Sequence, residues 1–148
     1  MFKKVLVPTD GSEISTKAVR QAVEIARAMG ARLVALHAYP EYHAVVLYEY
    51  VGPLDVMNKK EYTTNAKAVA ESYLATISEA AKAVGVAAES VIVASDVPHE
   101  AIIKTAKRKK CDLIIMASHG RRGVAGILLG SVTQKVLTHS DIPVLVLR

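Results

Sequence analysis

Five short runs rich in β-branched and aliphatic residues, alternating with longer stretches whose apolar residues recur at helical spacing, constrain this chain more than any single motif. The runs are Lys4-Val5-Leu6-Val7, Arg32-Leu33-Val34-Ala35-Leu36-His37, Ser90-Val91-Ile92-Val93-Ala94, Asp112-Leu113-Ile114-Ile115-Met116-Ala117 and Pro143-Val144-Leu145-Val146-Leu147. The first, fourth and fifth are nearly continuous apolar stretches, the pattern of strands covered by helices on both faces of a parallel sheet. With right-handed crossovers, the order βαβαβαβαβ predicts an α/β fold: a single doubly wound, open five-stranded parallel sheet with helices on both faces, for which the strand order 3-2-1-4-5 is taken as the expectation. No shift of composition marks a second domain, so one domain over residues 1–148 is expected.

The helical stretches carry their own punctuation. Ile14, Ala18, Val19, Ala22, Val23, Ala26 and Met29 form one stripe, opened by Ser12 as N-cap and closed by Gly30. Ala66, Val69, Ala70, Tyr73, Leu74, Ile77, Ala80, Ala81 and Val84 form a second, which Gly85 stops. Pro98 suits the first turn of a third helix that ends in the basic run 107–110. Residues 131–139 read as a fourth, with Val132, Val136 and Leu137 facing inward. The remaining irregular part, residues 39–60, contains four of the six tyrosines and reads either as a flap over a site or partner contact, or as an ordinary surface excursion.

Composition excludes several classes. With 148 residues, 51% of them hydrophobic and 22% charged, and only 8 Gly and 5 Pro, this is neither a disordered nor a collagen-like chain. No stretch approaches the roughly 18 apolar residues of a membrane-spanning helix, and the apolar run behind Lys3 and Lys4 is too short for a secretory signal. Cys111 is the single cysteine, which excludes an intrachain disulfide and makes the cytoplasm the expected compartment. It reads as a small apolar filler, although the basic residues before it could lower its pKa. Net charge is +5, and residues 104–148 carry nine basic side chains against two acidic ones, so this third is expected to face an anion. With no Trp, one Phe and no nucleic-acid-reading motif, a small anion fits better than nucleic acid.

In an open α/β sheet the ligand crevice lies beyond the carboxyl ends of the strands where their order reverses, here between the first and fourth. Pro8-Thr9-Asp10-Gly11-Ser12 and Ala117-Ser118-His119-Gly120-Arg121-Arg122-Gly123 would line it. Gly130-Ser131 opens the fourth helix, where free N–H groups, the positive end of the dipole and the hydroxyls of Ser131 and Thr133 suit a phosphate. An ordinary N-cap is the competing account. Asp10 is open to two readings as well, a ligand contact or an Asx-turn before the first helix. His119 suits a ligand contact or a hydrogen-bonded support behind one, and Arg121 and Arg122 either touch phosphates or form a solvated loop. The five histidines are scattered without metal-ligand spacing, and His37 reads as a strand-end residue. The P-loop is absent, which excludes a P-loop NTPase; the missing G-x-G-x-x-G fingerprint argues against an ordinary NAD-binding domain, and without a G-x-S-x-G elbow no α/β-hydrolase nucleophile is visible.

End to end, the chain resembles the universal stress proteins. The likeness rests on Val5-Leu6-Val7-Pro8-Thr9-Asp10-Gly11-Ser12, Val97-Pro98-His99-Glu100, Asp112-Leu113-Ile114-Ile115-Met116-Ala117-Ser118-His119-Gly120, and Leu129-Gly130-Ser131-Val132-Thr133 through Pro143-Val144-Leu145-Val146. The ATP-binding branch carries G-x2-G-x9-G-[ST], and its register here is Ala117, Gly120, then Gly130-Ser131, with alanine in place of the first glycine. The resemblance implies a Rossmann-like fold of the adenine nucleotide α-hydrolase type and a site for ATP, with Mg2+ carried on the nucleotide. Pro8, Thr9, Asp10 and the backbone near Ala38 would hold the base and sugar side; Met116, Ala117, His119, Gly120 and Arg121 would follow the ribose and phosphates. Gly130, Ser131, Val132 and Thr133 would hold the phosphate tail. It also implies a homodimer through Val144-Leu145-Val146-Leu147, which would otherwise be an exposed apolar edge.

Two function classes follow: an ATP-binding stress-response module, hydrolysing slowly at most because no residue is placed to activate water, or an interaction module of the same fold without nucleotide. An adenylate-using enzyme is disfavoured, since no paired acid and base appear.

Overall fold

A computed structural model describes residues 1–43, 58–120 and 129–148. The elements run β1 (Lys4–Pro8), α1 (Glu13–Met29), β2 (Arg32–Tyr39), α2 (Lys59–Ala83), β3 (Ala88–Ala94), α3 (Pro98–Arg108), β4 (Leu113–Ala117), α4 (Ser131–His139) and β5 (Val144–Leu147). The five strands pair in parallel in one sheet of order β3-β2-β1-β4-β5. The expected topology, with its reversal between β1 and β4, is the observed one.

Successive strand residues face opposite sides of a sheet, so the apolar runs feed two cores at once. Val5, Val7, Leu33, Ala35, Leu113 and Ile115 pack with Val19 and Val23 of α1 and Leu74 and Ile77 of α2. Leu6, Val34, Leu36, Ile114 and Met116 pack on the other side with Ile102 and Ile103 of α3 and Val136 of α4. Each fully buried Leu or Ile contributes about 1.5–3 kcal/mol, which makes these two layers the main support of the fold.

Local signals set most boundaries. Ser12 caps α1 by accepting from Ser15 N, and Gly30 ends it in the left-handed region at φ 63°. Pro98 sits in the first turn of α3. Helix α2 starts earlier than its apolar stripe, at Lys59, because Asn58 and Glu61 close a reciprocal capping box. Strand β2 runs on through Ala38 and Tyr39. Lys59, Lys60 and Tyr39 therefore belong to regular elements, and residues 44–57 of the irregular segment, with the proposed flap, lie outside the described residues.

Two inward assignments are corrected. Val69 is 46% exposed and Leu137 is 41% exposed, because the buried stripes are narrower: Ala70, Leu74, Ile77 and Ala81 on α2, Thr133 and Val136 on α4. Asp112 precedes β4 rather than opening it.

Cys111 is buried, and burial pushes its thiol up to about 11, outweighing the pull of Lys4 and Lys109. The basic run is also less available to an anion than its sequence suggests. Lys104 pairs with Glu100 at 2.7 Å, Lys107 with Asp141 at 2.8 Å, and Lys109 with Glu89.

Candidate functional site

The carboxyl ends of β1 and β4 converge where the sheet reverses. After Pro8 the chain turns sharply: Gly11 has φ 75°, and a Cβ there would lie 2.3 Å from the Tyr73 ring, so only glycine lets α2 close over this loop. The Asp10 carboxylate accepts from Ser12 N at 3.0 Å and Ser12 Oγ at 2.6 Å, an Asx-turn leading into α1. Its other oxygen faces the β4 loop, where a Cβ on Gly120 would meet Oδ2 at 2.3 Å. Glycine at 120 is what allows the two loops this close approach.

Beneath the first loop lies a buried polar support. Ser15 Oγ bonds Thr9 Oγ1 at 2.9 Å, and Gly11 N donates to the same oxygen at 3.1 Å. Buried His37 holds the Thr9 carbonyl through Nδ1 at 2.8 Å; since a carbonyl only accepts, Nδ1 carries the proton. The Tyr73 ring stands against His37 at 5.3 Å between centroids. His37 thus positions the loop from within β2, two residues before the strand ends at Tyr39, rather than from the strand end expected.

Strand register explains what Ala38 offers. Along β2, Arg32 and Leu36 bond toward β1 (Arg32 N to Lys3 O, Thr9 N to Leu36 O), whereas Leu33 and Tyr39 bond toward β3 (Leu33 N to Ala87 O, Ser95 N to Tyr39 O). Ala38 is in phase with Leu36, so its N–H and C=O both point to the β1 side. The β1–β2 pairing ends at Pro8↔Leu36, while β2–β3 continues to Tyr39↔Ala94. Half-buried Ala38 therefore presents a backbone donor and acceptor, side by side and unmatched by any described residue, just past the end of β1.

On the β4 side, Met116 and Ala117 are buried and Ser118 N is tied to Leu147 O at 2.7 Å. His119 Nδ1 lies 2.9 Å from Ser118 Oγ. Gly130 N donates to Ser118 O at 2.7 Å, which brings the start of α4 to the exit of β4; a Cβ on Gly130 would sit 3.3 Å from His119 Cα. The hydroxyl of buried Thr133 donates to Ala117 O at 3.0 Å, locking the helix to the strand. What Thr133 can offer an anion is thus its N–H, alongside those of Ser131 and Val132 at the helix N-terminus, rather than its hydroxyl. Arg121 lies outside the described residues.

The structure therefore gathers Pro8, Thr9, Asp10 and Ala38 on one side of the reversal point, and Met116, Ala117, His119, Gly120, Gly130, Ser131, Val132 and Thr133 on the other. Residues that sequence reasoning undervalued are the supports, Ser15 and Tyr73. The serine carries no motif, and the tyrosine appeared only as one apolar position of a helix.

The model described as the universal stress protein family matches residues 1–148. Universal stress protein YxiE of Bacillus subtilis is 35% identical over all of this chain and all of its own length. The solved structure of MJ0577, a universal stress protein of Methanocaldococcus jannaschii, superposes with a TM-score of 0.81 at 30% identity, covering 99% of this chain and 96% of that one. A universal stress protein solved in complex with cAMP superposes at 0.71 and 29% identity, over 99% of this chain and 97% of its own.

Proposed function

The chain belongs to the universal stress protein family, and from that premise we propose that it binds ATP in the crevice between β1 and β4 and acts as a stress-response regulatory and protective module. One observation carries the reading: the N–H and C=O of Ala38 at the crevice, unmatched by any described residue. Adenine presents the complementary pair on one edge, the N6 amino donor beside the N1 acceptor. Across the sheet reversal, the N–H groups of Ser131, Val132 and Thr133 and the dipole of α4 provide for the phosphate tail, and Mg2+ enters as its counter-ion. Asp10, set between Ser12 and Gly120, serves the sugar side. The relative solved with cAMP supports an adenine nucleotide as the ligand class. We assign no catalytic residue.

The working unit is a homodimer formed through β5, and an apolar groove of about 460 Å3 is lined by Leu147 of that strand together with Arg20, Gln21, Glu24 and Ile25 of α1. A cytoplasmic setting suits a chain whose lone cysteine is buried and unpaired.

Ala117 supports one competing reading, an interaction module without nucleotide, because its methyl occupies the position of the first motif glycine. Calorimetric titration of nucleotide-free protein with ATP and Mg2+ separates the two. Saturable binding in the micromolar range or tighter is expected for the native chain, with Ala117→Gly changing it little. Binding by Ala117→Gly alone establishes the interaction module instead.

A further inference from the structure

The packing of α3 against α4 brings together two histidines that the nucleotide reading does not use. His99 lies in the first turn of α3 and His139 is the last residue of α4, and their ring centroids are 5.6 Å apart with the planes inclined by 47°. Imidazoles sharing one metal ion at the usual distance of about 2.0–2.1 Å from nitrogen place their ring centres roughly 5–6 Å apart, and the observed separation falls in that range. His139 Nδ1 faces the Lys135 carbonyl at 2.8 Å and must donate to it, which fixes the tautomer and leaves the Nε2 lone pair for coordination. The same orienting bond to the second ring nitrogen accompanies metal-bound histidines in general. Among the described residues His99 has no side-chain hydrogen-bond partner, so either of its nitrogens is available to an ion. His139 is exposed and His99 half-buried, which gives an ion access from solvent.

We propose that His99 and His139 form a surface site for one divalent transition-metal ion of imidazole preference, Zn2+, Ni2+ or Cu2+, bridging the start of α3 and the end of α4. Among the described residues no third His, Cys, Asp or Glu completes the set, so water fills the remaining positions and affinity is moderate. Hard cations such as Mg2+ and Ca2+, which demand oxygen ligands, are excluded from it. The site is independent of the nucleotide crevice.

Titration of the nucleotide-free protein with Zn2+, followed by calorimetry and by the shift in unfolding temperature, tests the assignment. One ion per chain is expected, with affinity falling roughly tenfold or more in His99→Gln and again in His139→Gln. His43→Gln, which alters the exposed histidine paired with Asp96, should bind as the native chain does. Both ring substitutions lie on the surface, and circular dichroism verifies that each variant is folded. Absence of binding, or binding that survives loss of both histidines, overturns the site.

Discussion

Asp112 does more for stability than its place at a loop end suggests. Its carboxylate accepts from Lys3 N at 2.8 Å and Lys4 N at 2.9 Å while its own N–H donates to Lys4 O at 2.9 Å, clamping the amino ends of the two central strands. Burial pushes this carboxyl up, but the backbone donors outweigh burial and hold it below the usual range. A depressed carboxyl contributes stability that is fully present above its unfolded value and is lost as pH falls through its folded value. Asp112→Ala should therefore cost about 1.5–3 kcal/mol at neutral pH, the scale of hydrogen bonds to a charged group. In urea unfolding the gap between variant and native chain should close below about pH 4, where the unfolded carboxyl protonates. A gap of constant size down to pH 2 would refute the clamp. Nothing in Asp112-Leu113-Ile114 announces this role, because the partner strand is fixed by sheet order rather than by neighbours in sequence.

Among the elements, the joint between β4 and α4 is the most constrained. Gly130 has an ordinary extended backbone, φ −67° and ψ 154°, so its need for glycine comes from proximity to His119 and Ser118 and not from conformation. Gly130→Val should remove ATP binding. It should also lower stability by about 1–3 kcal/mol, since the added carbons press on backbone that cannot rotate away. The 3.3 Å approach to His119 Cα is the reason for that cost. Calorimetry and thermal melting report the two effects separately, and ATP affinity unchanged in a folded variant refutes the phosphate role of this turn. Helix ends elsewhere were legible because caps are local: Ser12, Gly30 and Pro98 stand where they were expected. The start of α2 was equally local, in Asn58 and Glu61, but was passed over for the apolar stripe that begins later.

At the scale of the whole molecule, the two sheet edges differ. Edge strand β3 carries Glu89, which is engaged by Lys4 and Lys109, and charge of this kind discourages edge pairing. Edge strand β5 is Val-Leu-Val-Leu, with Leu145 37% exposed and no charge along it. An uncharged apolar edge finds its simplest cover in a second copy related by a two-fold axis. Sedimentation velocity at micromolar concentration should show a dimer for the native chain and a monomer for Leu145→Asp. A native monomer overturns the assembly while leaving the nucleotide reading to its own test.

The sequence by itself determined the fold class and most helix boundaries, because the periodicity of apolar residues and the chemistry of caps act over a few residues and need no knowledge of distant contacts. It also named both loops of the crevice, through the placement of Asp10, Gly120 and Gly130. Only the tertiary structure decided which groups in those loops are open. The N–H and C=O of Ala38 are unmatched among the described residues because β1 stops three residues before β2 does, as the registers Pro8↔Leu36 and Tyr39↔Ala94 require. The Thr133 hydroxyl is committed to Ala117, several lysines of the basic run are committed to carboxylates, and His99 meets His139 across a helix pair. Each of these depends on how separate elements register and pack, and no local pattern in the chain encodes a partner that arrives only when the sheet and its helices have assembled.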